Sequence, residues 1–114
     1  MAKLPNELEE TIWNLKRHVL EIAERAKAAE FTLFERFGET ERTISYLDEL
    51  QSVAEQATER FSQFSSLQIR MVNSQPNVLP DMLELVNRVA ASTQERIPAL
   101  ERSIEEIKAE WRLP

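Results

Sequence analysis

The side chains of this chain that could support catalysis or metal binding are one histidine and many carboxylates. His18 is the only histidine and cysteine is absent, so a zinc site would depend on one imidazole and oxygen ligands. The Glu-x-x-His motifs of di-iron helical bundles need two histidines. His18 also adjoins Val19 at the edge of an apolar stripe, where we expect a structural boundary residue. We therefore predict no metal site and no cofactor.

The carboxylates and hydroxyls also lack a catalytic arrangement. The acidic stretches "ELEE", "LDEL" and "SIEEIKAE" occupy solvent-facing helical positions, whereas general acid–base catalysis needs carboxylates that face a pocket. A single glycine cannot form a phosphate-binding loop. We expect Ser62, Ser65 and Ser66 to bond back to the preceding helical turn. These patterns predict no catalytic residues and no enzymatic activity. A carboxylate-rich bundle that acts as an enzyme or binds metal is the alternative.

Charge and composition exclude further classes of protein. The 114 residues carry a formal net charge of −6, and none of the segments 1–38, 39–74 and 75–114 is basic. We therefore predict no binding to nucleic acid, which requires clustered cations. No apolar run approaches the roughly 20 residues that span a bilayer. The polar start and the lack of cysteine favour a cytoplasmic location. The length of the chain fits one domain over residues 1–114.

Apolar residues recur at alternating spacings of three and four, which is typical of helices packed in a bundle or coiled coil. The three apolar stripes cover residues 8–33, 47–71 and 82–111. No segment favours a strand. The pattern predicts an all-α fold, an antiparallel three-helix bundle with long helices at about 6–37, 40–73 and 78–112.

Prolines and turn-forming residues mark the third predicted helix. The stretch "NSQPN" ends the second helix and leaves Asn77 as a cap for the third. Pro80 is acceptable in the first turn, where N–H groups are free. Pro98 lies inside the helix and removes one ladder hydrogen bond, so we predict a kink near Pro98.

The connection between the first two helices is ambiguous, because the apolar spacing continues across Gly38, the only glycine. After Leu33, the next three positions of the stripe are the polar residues Arg36, Thr40 and Thr43, and the apolar pattern resumes at Leu47. Glycine favours a helix end, and Thr40 can cap a new helix, so we predict a turn at Gly38. In the alternative, helices 1 and 2 are continuous through Gly38 in an elongated dimeric coiled-coil bundle.

The first predicted helix carries a second apolar face. At about 100° per residue, Trp13, Leu20 and Phe31 fall opposite the buried stripe and Phe34 falls on one flank. Rows of Trp and Phe are residue types that anchor protein contacts. We predict a protein interface at Trp13, Leu20, Phe31, Phe34 and Phe37, and we expect the turn to bury Phe34 or Phe37. The alternative is scattered surface residues, which are normal when single.

These features together predict a non-enzymatic protein–protein interaction module. It would be a small acidic adaptor, regulator or assembly subunit that binds a protein partner through helix faces and forms a homodimer. An amphipathic helical coat on a lipid or granule surface is an alternative, since Lys16, Arg17 and Lys27 flank the apolar face. The acidic balance of the chain counts against that alternative.

Overall fold

Three long helices form an up-down-up bundle. The computed structural model describes residues 6–74 and 79–114, with α1 at Asn6–Phe37, α2 at Ile44–Asn73 and α3 at Pro80–Trp111. No strand occurs in those two ranges. α1 and α2 pack most closely, α3 packs on both, and the bundle measures 56 × 20 × 18 Å. The predicted all-α bundle is confirmed.

The core is built from the predicted apolar stripes. Each helix contributes fully buried aliphatic side chains, such as Ile12 in α1, Leu50 in α2 and Leu100 in α3. Burying a side chain of this size is worth about 1.5–3 kcal/mol, so the stripes supply most of the drive for packing. Leu8 and Met82 lie towards the ends of their stripes and are only partly buried.

The chain turns at Gly38, as predicted. Gly38 has a φ of 71°, a left-handed conformation that side chains disfavour, and its N–H donates to the Phe34 carbonyl over 2.7 Å. This bond closes the last turn of α1 in the left-handed capping motif. The alternative of one continuous helix through Gly38 is therefore wrong.

α2 begins at Ile44, four residues later than predicted, because a capped turn precedes it. The Thr40 hydroxyl accepts from the N–H groups of Arg42 and Thr43, each over 3.2 Å. In return, the Thr43 hydroxyl accepts from the Thr40 N–H over 2.9 Å and lies 2.8 Å from the Gly38 carbonyl, to which it donates. Thr40 thus caps this turn through a reciprocal capping box.

Pro80 lies in the first turn of α3, as predicted, and is the first residue of the helix, with Leu79 before it. The predicted start at residue 78 and its cap Asn77 lie outside the described residues. α3 continues through Pro98 without a break, so the kink itself stays a prediction. The helix ends at Trp111, one residue earlier than predicted, because Arg112 adopts a left-handed φ of 53°.

Candidate interaction surface

The five residues predicted as an interface are all exposed on α1. Their exposed fractions run from 42% for Leu20 to 66% for Phe31. Phe34 and Phe37 are also exposed, so the expectation that the turn buries one of them is wrong. Phe37 instead packs its ring on Trp111, with centroids 5.0 Å apart, at the edge of the bundle. The role of the five residues in binding stays a prediction.

An open groove lies between the second half of α1 and the start of α2. It has a volume of about 440 Å³, and we call it the α1–α2 groove. The lining residues are Lys27, Glu30, Phe31, Phe34, Glu39, Leu47, Asp48 and Gln51. The Lys27 ammonium lies 3.1 Å from a Glu30 carboxylate oxygen, so this cation is partly neutralised within its own helix. The groove therefore combines two exposed phenyl rings of α1 with an opposite wall on α2 that carries one carboxylate, Asp48.

Lys16 anchors the other end of the same side of α1. Only 6% of this residue is exposed, and its Nζ donates to Gln68 Oε1 over 2.8 Å. The same ammonium lies 4.4 Å from the Trp13 ring centroid and 4.7 Å from the Phe61 ring centroid. Burial disfavours the charged form and lowers the pKa of Lys16 below its ordinary value. Lys16 thus links the half-exposed Trp13 of α1 to Phe61 and Gln68 of α2.

Sequence reasoning missed this role of Lys16. It treated Lys16 only as a cation beside the apolar face and Gln68 as a polar interruption of the second stripe. The usable signal was the position of Gln68 at a core site of α2, since a buried amide needs a hydrogen-bond partner. The partner itself lies 52 positions away in the chain and emerges only when the helices are paired.

The opposite side of α1 is polar and contacts α3. His18 Nε2 lies 3.1 Å from Glu101 Oε2, and Arg25 donates to Glu101 over 3.2 Å and to Glu105 over 2.9 Å. The hydrogen bond with His18 lowers the pKa of Glu101, and the charges of His18 and Arg25 add to this against the opposing effect of burial. α1 therefore offers ion pairs to α3 and aromatic rings to the α1–α2 side.

The described ranges show few features suited to ligand chemistry. Within residues 6–74 and 79–114, no three side chains of His, Asp or Glu are grouped so that they could hold a metal ion. In the same part of the chain, every helix is too short or too polar to cross a bilayer. Two buried polar atoms there lack a hydrogen-bond partner, Thr93 Oγ1 and Trp111 Nε1. Neither lines the α1–α2 groove.

Comparison with protein-family models, with curated proteins and with solved structures finds no match to this chain. The α1 face is defined by its own residues, which are exposed aromatic rings beside an open groove.

Proposed function

We propose that the protein is a non-enzymatic protein–protein interaction module that binds through the outer face of α1 and the α1–α2 groove. It acts as a small adaptor, regulator or assembly subunit, and it self-associates. The supporting observation is the alignment of exposed Trp13, Leu20, Phe31 and Phe34. At 100° per residue these four lie within about 60° of one another around the axis of α1.

The chemistry of this face favours a protein partner. Single exposed apolar residues are common, but a row of them along one helix beside a groove is typical of a docking surface. Trp and Phe provide large apolar area at low cost in side-chain entropy, and helix grooves bind apolar anchors of partner proteins. The net charge of −6 opposes binding to anionic lipid or nucleic acid. A cytoplasmic location belongs to the same proposal.

Replacement of two rings by carboxylates tests the proposed function. The double variant Trp13→Glu with Phe31→Glu places charges in the apolar face, where burial in an interface would be costly. We expect the native mass to fall to that of the monomer, or capture of the partner from the source cell to be lost. The measurements are light scattering for mass and circular dichroism for helicity, which should stay unchanged because both rings are exposed.

Leu79→Glu is the matched control, because Leu79 is an exposed apolar residue that precedes α3 and belongs neither to α1 nor to the lining of the α1–α2 groove. This control should leave mass and partner capture unchanged. If the double variant unfolds, the two rings belong to the core and the surface is misassigned. If the mass and the bound partners of the double variant match those of the native protein, the proposed function is overturned.

A further inference from the structure

We infer that the face formed by α1 and α2 binds a second copy of this chain, with α1 of each copy lying on α2 of the other. The two copies are then related by a two-fold axis parallel to the helices. This inference rests on the proposed function, because it names the partner and the arrangement for the same surface. It follows from the charges, the register and the area of the face.

The exposed charges that could pair across this face are Lys27 of α1, which also contacts Glu30 of its own helix, and two carboxylates of α2. The α1 side carries exposed Lys27 among the aromatic residues, while the neighbouring side of α2 carries exposed Asp48 and Glu55. At 100° per residue, Lys27 lies on the outward flank of α1 and both carboxylates lie on the outward flank of α2. Because the Lys27 side chain stays 58% exposed beside Glu30, its ammonium can also meet a carboxylate of the second copy when α1 packs on α2.

Packing α1 on α1 of the second copy is less favourable. Consider two antiparallel copies of α1 in which Trp13 of one contacts Phe31 of the other. Arg17 of one copy then lies against Lys27 of the other, because both residue pairs have the same midpoint along α1. Both cations are exposed, and like charges facing across an interface are repulsive. The charges thus select the arrangement in which α1 faces α2.

The register of the bundle brings the charged groups together in this arrangement. Lys16 is hydrogen-bonded to Gln68 near one end of the α1–α2 pair, and Phe34 and Leu47 line the groove near the other. At about 1.5 Å per residue along both helices, Lys27 then lies level with Glu55. Rotation about a two-fold axis parallel to the helices does not change the height of a residue along the bundle. Lys27 of each copy therefore faces Glu55 of the other copy.

The apolar residues match in the same register. Counting from the Lys16–Gln68 bond puts Trp13 level with the last turns of α2, where Ile69 and Val72 are 62% and 67% exposed. Trp13 would cover this exposed patch of the second copy. The long sides of the bundle, 56 by 20 Å, are also large enough for the roughly 800 Å² that each partner buries in a standard interface.

Charge reversal at Lys27 and Glu55 tests the arrangement. In Lys27→Glu alone, and in Glu55→Lys alone, both inter-copy contacts join like charges, so we expect the dimer dissociation constant to rise by roughly 100-fold or more. An equimolar mixture of the two single variants should form a 1:1 heterodimer, because every contact then joins opposite charges. The double variant should dimerise by itself. Sedimentation velocity gives the masses, and native mass spectrometry gives the composition of the mixture.

The matched controls are Arg102→Glu and Glu106→Lys, which make the same charge changes on the exposed side of α3. These should leave dimerisation unchanged, singly and mixed. A native chain that stays monomeric at all concentrations overturns the inference, as does a mixture that associates no better than its components. The proposed function fails separately, because it is overturned only when Trp13→Glu with Phe31→Glu leaves both mass and partner capture unchanged.

Discussion

Two buried polar side chains of the bundle have opposite surroundings. Lys16 has lost most of its water, but its ammonium keeps a hydrogen bond to Gln68 and lies over the rings of Trp13 and Phe61. Such cation–π contacts are worth about 0.5–2 kcal/mol each when partly desolvated, so they offset the cost of burial. Thr93 is as deeply buried, with 1% exposed, yet its hydroxyl has no partner.

Thr93→Val should stabilise the bundle. Valine has nearly the same shape and removes a buried hydroxyl that makes no hydrogen bond, a group that costs about 1–3 kcal/mol. We expect a gain of about 1 kcal/mol in the free energy of unfolding, measured by urea denaturation. Thr58→Val is the control, because the Thr58 hydroxyl is exposed and bonds to the Ala54 carbonyl. A loss of stability in Thr93→Val would mean that the hydroxyl is satisfied in solution.

At the scale of helices, the apolar spacing was enough to predict three elements, and the predicted bounds of α1, about 6–37, match the helix at Asn6–Phe37. It failed at the start of α2, because the polar positions at 40 and 43 were taken as the first turn of that helix. They are instead a capping pair that bonds to itself and to Gly38. A pattern of apolar residues cannot distinguish a first helical turn from a capped turn that precedes the helix, since Thr43 would be buried in both.

Some candidate site residues could be predicted from one helix alone, and others depend on how the helices pack. Exposure of Trp13 and Phe31 followed from the helical wheel, because it depends on α1 alone. The burial of Lys16 depends on Phe61 and Gln68 of another helix, and no local pattern contains that information. The order of the helices around the bundle, which makes one side of α1 polar and the other aromatic, likewise emerges from the packing.

Gly38→Ala tests the turn between α1 and α2. A Cβ at Gly38 meets nothing within 4 Å, so the cost comes only from the left-handed backbone, about 1–2 kcal/mol. We expect the melting temperature to fall by about 4 °C or more, followed by circular dichroism. Gly38→Asn should lose less, because asparagine tolerates this conformation. In a helix that ran straight through residue 38, alanine would instead stabilise by about 1 kcal/mol, so the sign of the change decides.

At the scale of the whole molecule, α1 connects two different kinds of surface. Its polar side bonds to α3 through His18 and Arg25, and its aromatic side is left for the surface shared with α2. The core stripes hold all three helices, but among the described residues the ion pairs between helices link α1 and α3. Acid should therefore weaken the docking of α3 on α1 more than the pairing of α1 with α2.

Glu101 is the group through which this pH dependence acts. It faces His18 and Arg25 of α1, with Glu105 beside it on α3 and Lys108 near Glu105. Its pKa in the folded chain lies below the ordinary value of 4.5, so the folded state favours the carboxylate. Its contribution to stability is therefore complete above pH 4.5 and is lost as the pH falls through the lowered pKa. Because a third of the side chain is exposed, solvent screening limits this contribution to about 1 kcal/mol or less.

Comparison of the native chain with Glu101→Gln isolates this effect. At pH 7 we expect the native chain to be the more stable, and the difference in free energy of unfolding should shrink towards zero as the pH falls below 4.5 and through the lowered pKa of Glu101. Urea denaturation at a series of pH values measures it. Glu106→Gln is the matched control, because Glu106 is an exposed carboxylate on the same helix, and we expect it to show no such trend. A difference that stays constant with pH would mean that Glu101 contributes by packing, and the link between α1 and α3 would then be insensitive to acid.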